Sequence, residues 1–159
     1  MHRPKVKLSE SDLDKMLGKA SWLLSHAEAL ACYGRDEEAA AELARAASCE
    51  EEVAFWLDAA GRQQEAVIHR VSAASCYEQL GQYARAVTLL QAALSADLVD
   101  QYRRRVEQLL ARCLAQAKKK VRGASPHAPR GPRIILRDPI FSEAPLDAFN
   151  QGVTLAEVR

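Results

Sequence analysis

The stretch Ser75–Leu94, SCYEQLGQYARAVTLLQAAL, decides the fold. Gly81-Gln82 at its centre separates two runs of helix-forming residues. Upstream, Ala74, Tyr77 and Leu80 recur at helical spacing. Downstream, Ala86, Val87, Leu90, Ala93 and Leu94 do the same. A glycine between two such runs ends one helix and lets the chain reverse. The stretch therefore reads as a helical hairpin.

The same alternation extends in both directions. Ser9 is placed to cap a first helix, with Asp12 three residues on in a capping-box-like position. Leu13, Met16, Leu17, Ala20, Leu23, Leu24, Ala27, Leu30 and Ala31 form its apolar stripe, which Gly34 ends. Asp36, Glu37 and Glu38 suit the first turn of a second helix, where acids meet the positive end of the dipole. No Gly or Pro interrupts residues 35–60, so one long helix is favoured there, although Ser48 and Glu51 would make a fair capping box for a second one. Gly61 closes this element. Further helices are expected over 63–79, 83–96 and about 98–120, with Asp97 as the cap of the last and Leu98, Val99 and Leu114 among its inward positions.

Composition agrees with a helix-on-helix architecture. The chain has 159 residues, of which 48% are hydrophobic and only 6% aromatic, and Ala and Leu dominate. Both are strong helix formers. The expected fold class is all-α: antiparallel helical hairpins in a short solenoid or bundle, followed by an irregular Pro-containing tail. The organisation expected is a basic lead at 1–8, a helical domain at 9–122, a Pro-rich linker at 123–133 and an extended tail at 134–159. That tail carries Phe141 and Phe149 among its apolar anchors, more than a free tail would need, so it is expected to pack on the helical body or on a partner.

The residues around Gly81 resemble the tetratricopeptide pattern. Tyr77 lies four before the glycine and Tyr83 two after, with Ala86, Leu90 and Ala93 at five, nine and twelve. The likeness is good over 67–100 and weak over 20–47, where Leu30, Gly34, Ala39, Leu43 and Ala46 repeat the offsets. Gly61 and Ala66 begin a third match that Arg70 breaks at nine. The first-helix Trp and Leu-Gly of the family are replaced here by Arg70 and Ala73-Ala74. Gly34, Gly61 and Gly81 stand 27 and 20 residues apart, against a period of about 34 in the family. The resemblance implies a peptide- or protein-docking surface and no catalytic chemistry. The asparagines of that family's carboxylate clamp have no counterpart, because the helical region has no Asn.

The chemistry-bearing residues are sparse. His26 and His69 stand alone on their helices, without the paired Glu-x-x-His spacing of a helical metal site. Glu50, Glu51 and Glu52 are adjacent and read as an acidic solvated face. Cys32, Cys49, Cys76 and Cys113 lack Cys-x-x-Cys spacing and read as small buried or half-buried apolar groups in a reducing compartment. No phosphate loop, nucleophile elbow or zincin motif occurs. The expectation is a non-enzyme without cofactor or metal.

Charge is balanced overall at +1 but unevenly spread: nine acids fall in 36–65 and eleven Lys and Arg in 101–137. That basic density raises nucleic-acid binding as a reading. Consecutive arginines such as Arg103, Arg104 and Arg105 spread round a helix, however, and no aromatics are interleaved for stacking. Neither a signal peptide nor a membrane span is visible, so a cytoplasmic location is expected. The partner expected is another protein or peptide, met through Tyr33, Phe55, Trp56, Arg70, Arg104, Phe141 and Phe149. The alternative is a homo-oligomer assembled through the tail.

Overall fold

Among the described residues, three of the four interhelical turns are built on one backbone device. The computed structural model describes residues 9–123. Among them are five helices: α1 (Glu10–Cys32), α2 (Asp36–Ala59), α3 (Gln63–Gln79), α4 (Tyr83–Leu94) and α5 (Asp100–Arg122), and there is no strand. The expectations for residues 1–8, for the linker and for the tail with Phe141 and Phe149 lie outside the described residues, apart from Gly123.

Gly34, Gly61 and Gly81 each take a left-handed backbone, with φ of 71°, 78° and 70°. In each turn the residue after the glycine donates its amide to the carbonyl five back: Arg35 to Leu30 at 2.9 Å, Arg62 to Leu57 at 2.9 Å, Gln82 to Tyr77 at 2.8 Å. The glycine amide itself bonds Ala31, Asp58 or Glu78, each at 3.0 Å. These are Schellman closures, which satisfy carbonyls that a helix end leaves free. The sequence signal round each is the same. The residue four before the glycine (Leu30, Leu57 or Tyr77) is buried, and so is the alanine five after it (Ala39, Ala66 or Ala86). The small side chain lets the outgoing helix close on the incoming one. Gly61 thus carries the full turn, with Leu57 completing what Ala66 begins.

The remaining expectations divide. Ser9 caps α1 by accepting the Asp12 amide at 3.1 Å. α2 runs unbroken for 24 residues, and Ser48 inside it is exposed. Asp97 does not cap α5. It lies three residues before the helix, in a glycine-free turn, and Val99 takes the cap position without a side-chain bond. α4 stops at Leu94, two residues early, and Arg103 reaches back to cap it through the Leu94 and Ala96 carbonyls at 3.3 and 3.2 Å. Val99 has an extended backbone, Leu98 is buried and Val99 exposed, and Leu114 is also exposed.

Packing is sequential: α1 on α2, α2 on α3, α3 on α4 and α4 on α5, with α3 also touching α5. Enclosed by α2, α4 and α5, α3 buries seven residues, from Ala66 to Tyr77. One apolar core runs from Ala27 through Val67, Val71, Tyr77 and Leu90 to Val106 and Cys113. A second joins Leu13, Val53, Leu57 and Ala66 at the other end of α1. Alanines with no exposed surface (Ala39, Ala46, Ala47, Ala73, Ala74, Ala93) occupy the contacts and permit close helix approach. Among the described residues no helix is long and apolar enough to cross a membrane.

Two alanine substitutions test this reading with opposite signs. Gly81→Ala forces a Cβ into a left-handed position and should destabilise by about 1–2 kcal/mol. Gly18→Ala sits inside α1, where an added Cβ meets nothing within 4 Å, and should stabilise by about 0.5–1 kcal/mol. Urea unfolding of the full chain checks both, and equal effects at the two positions would refute the closure argument.

Candidate functional site

A stack of helices must end somewhere, and the faces of its two end helices are what it offers to solvent. The outward stripe of α5 is Gln101, Arg104, Gln108, Ala111, Ala115, Lys118 and Arg122, all exposed and without an aromatic. Such a polar outer face is what solubility asks of a terminal helix. The outward stripe of α1 differs. Gly18, Trp22, Ser25 and Ala29 recur at helical spacing, all exposed and uncharged. Trp22 is 58% exposed and Tyr33, at the end of the same face, 83%. Trp22 is held by a stacked His26, ring centroids 4.7 Å apart. His26 in turn lies 3.9 Å from Glu42, which pairs with Arg45 at 2.9 Å.

Trp22 is absent from the residues that sequence reading singled out. The signal was present: it falls off the apolar stripe of α1, one position before Leu23, and so had to face away from the core. Of the residues that were singled out, Tyr33 and Phe55 are exposed and Trp56 is half-buried against Phe55 in an edge-on contact, centroids 5.5 Å apart. Phe55 belongs to the outward stripe of α2 (Glu38, Ala41, Arg45, Ser48, Glu52, Phe55, Ala59), which is mixed in charge and distinct from that of α1. Arg104 is exposed on α5.

Arg70, expected to be exposed, is half-buried and ion-paired with Asp58 of α2. It stands nine after Gly61, where the other two turns place buried Leu43 and Leu90. Burial pushes the guanidinium below its ordinary pKa. A second polar contact crosses the same pair of helices. Glu50, only 5% exposed, meets His69 Nδ1 at 2.5 Å. The acidic run 50–52 is thus not one solvated face: Glu50 is buried, Glu51 is half-buried with Arg85 at 2.9 Å, and only Glu52 is exposed. Arg85 also lies over the Tyr77 ring, 4.5 Å from its centroid, a cation–π contact.

Cys32 is exposed, against expectation, because it sits in the last turn of α1 on the solvent side. Cys49, Cys76 and Cys113 are buried, and all four thiols are free. Burial, reinforced by the Glu50 charge, pushes Cys76 up to about 12. Burial and Glu78 push Cys113 up to about 11. Burial first, then Glu51, pushes the Tyr77 hydroxyl up to about 12. These are directions that suppress nucleophilic chemistry at neutral pH. Among the described residues no group of three or more His, Cys, Asp or Glu is placed to hold a metal ion.

Set against family models, curated proteins and solved structures, the chain matches none.

Two stability measurements follow. Glu50→Ala leaves His69 facing an emptied buried site and should cost about 3 kcal/mol, whereas Glu50→Met with His69→Leu should lie within about 1 kcal/mol of the parent. A double substitution as costly as the single one would show that the pair is not coupled. The raised thiols and phenol hold their protons more tightly in the folded chain. Their contribution is therefore complete below the ordinary thiol value of 9.0 and is lost as the pH climbs through 11 and 12. The urea midpoint should fall steadily from pH 9 to pH 11, and a flat profile would contradict the burial of these groups.

Proposed function

We propose that the chain is a non-catalytic protein-interaction scaffold that docks a helix of its partner on the outward stripe of α1. The observation that carries this reading is the contrast between the two end helices. The outward stripe of α5 carries Gln101, Arg104, Gln108, Lys118 and Arg122 and no aromatic, while α1 presents Trp22 among Gly18, Ser25 and Ala29 with no helix of the described chain on that side. Small residues admit a close helix, and a central tryptophan supplies the kind of anchor on which binding energy concentrates. The tetratricopeptide-like offsets round Gly34, Gly61 and Gly81 support a docking module of that general kind, with shorter and unequal repeats. A cytoplasmic setting accords with four free thiols.

The test is affinity capture from lysate of the source cells with the full chain and two variants, Trp22→Ala and Ala29→Arg. Both positions are exposed, so each change should alter stability by no more than about 0.5 kcal/mol. Each should lower recovery of the partner by about tenfold or more. Undiminished capture by both variants would show that α1 is not the docking face.

A further inference from the structure

The helices differ in length, and the mismatch leaves a cleft. α4 has 12 residues and α5 has 23, spans of about 18 and 34 Å. Running antiparallel to α4, α5 brings its last turns beside the start of α4, where Lys120 and Val121 face Gly81–Arg85. Its C-terminal half bears Leu114, Ala117 and Val121 on one side, with Val121 80% exposed. Together with the first turn of α4 it bounds a cavity of 540 Å3, lined by Tyr83, Ala84, Arg85, Ala117, Lys120 and Val121 among others. The walls are apolar and the rim is cationic. Lys120 spends one donor on the Gly81 carbonyl at 3.1 Å and keeps two. Lys118, Lys119 and Arg122 are exposed nearby.

We infer that this cleft is filled by residues 138–149 of the same chain. Their composition is its complement. Between Asp138 and Val158 the acids are Asp138, Glu143, Asp147 and Glu157, there is no Lys or Arg, and Ile140, Phe141, Leu146 and Phe149 supply apolar bulk. The described residues end at Gly123, two positions beyond Val121 in the cleft wall. Residues 124–137 contain no acid and three arginines, and can span up to about 45 Å, longer than α5 itself. A tether of this length holds the segment at roughly millimolar effective concentration.

Hydrogen exchange on the full chain, read by mass spectrometry, tests the assignment. Amides of 140–149 should exchange about tenfold more slowly than an unstructured peptide. Val121→Asp, at an exposed position, should return them to the unstructured rate while α3 amides remain protected. In a Phe141→Ala/Phe149→Ala chain, exchange at Ala84–Val87 should rise. The inference is overturned if 140–149 are unprotected in the parent, if their protection survives Val121→Asp, or if Ala84–Val87 are indifferent to loss of the two phenylalanines. Protection that disappears on dilution would also overturn it, by placing the segment on a second copy.

Discussion

The left-handed glycine is the constraint on which the rest of the architecture depends. An L-residue in that conformation is strained, and a helix that fails to turn there would run on into solvent. Closing the turn with two backbone bonds fixes the direction of the outgoing helix, and the alanine five residues on sets how closely it returns. Three repetitions of this closure produce a chain in which each helix packs on the next. The intervals between the glycines are unequal, 27 and 20 residues, and this inequality is structural. It gives α2 24 residues against 17 for α3, and α4, which ends in the glycine-free turn, has only 12, so the helix ends do not align. The second core under Leu13 and Leu57 and the open cleft beside Val121 both come from that misalignment.

The α2–α3 contact is unusual in its use of polar groups. Where the other two hairpins place Leu43 and Leu90, this one has Arg70, and it buries Glu50 beside His69. Desolvating such groups cancels most of what their attraction supplies, so they add little net stability. Removing one partner is costly all the same, because the other remains buried. A shift of α3 by one residue along α2 would separate both pairs at once. The arrangement therefore penalises wrong registers more than it stabilises the right one. An interface otherwise filled by alanines and valines discriminates weakly between registers, which is where such a penalty has most effect.

Helices, their glycine ends and the Ser9 cap were legible along the chain because each depends on residues within a turn of one another, whereas the Ser48–Glu51 box left two helices open where α2 runs as one. The missed features depend on residues far apart. His69 meets Glu50 across 19 positions and Arg70 meets Asp58 across 12, so inspection of i, i+4 neighbours found neither. Asp97 has the residue type of a cap, but α5 begins three residues later, beyond the buried Leu98. Cys32 looked buried by residue preference, yet its place in the last turn of α1 faces solvent. Trp22 was legible in principle: its offset from the Leu23 stripe fixed its direction, and only its consequence depended on knowing that no described helix lies beyond α1.

The two ends of the stack pose different problems of solvation, and the chain treats them differently. At the α5 end Val121 and Ala117 border a cleft with Arg85 and Lys120 at its rim, a combination that suits an acidic segment with apolar side chains. At the α1 end the small residues Gly18, Ser25 and Ala29 flank Trp22, which suits a helix. Because α1 and α5 stand at opposite ends of the packing order, an occupant of one does not displace an occupant of the other. A chain whose own acidic segment fills the recess would leave the Trp22 stripe as its free apolar surface. The partner site and the self-contact are then separable by substitution, since Trp22 and Val121 are exposed on different helices and belong to no buried core.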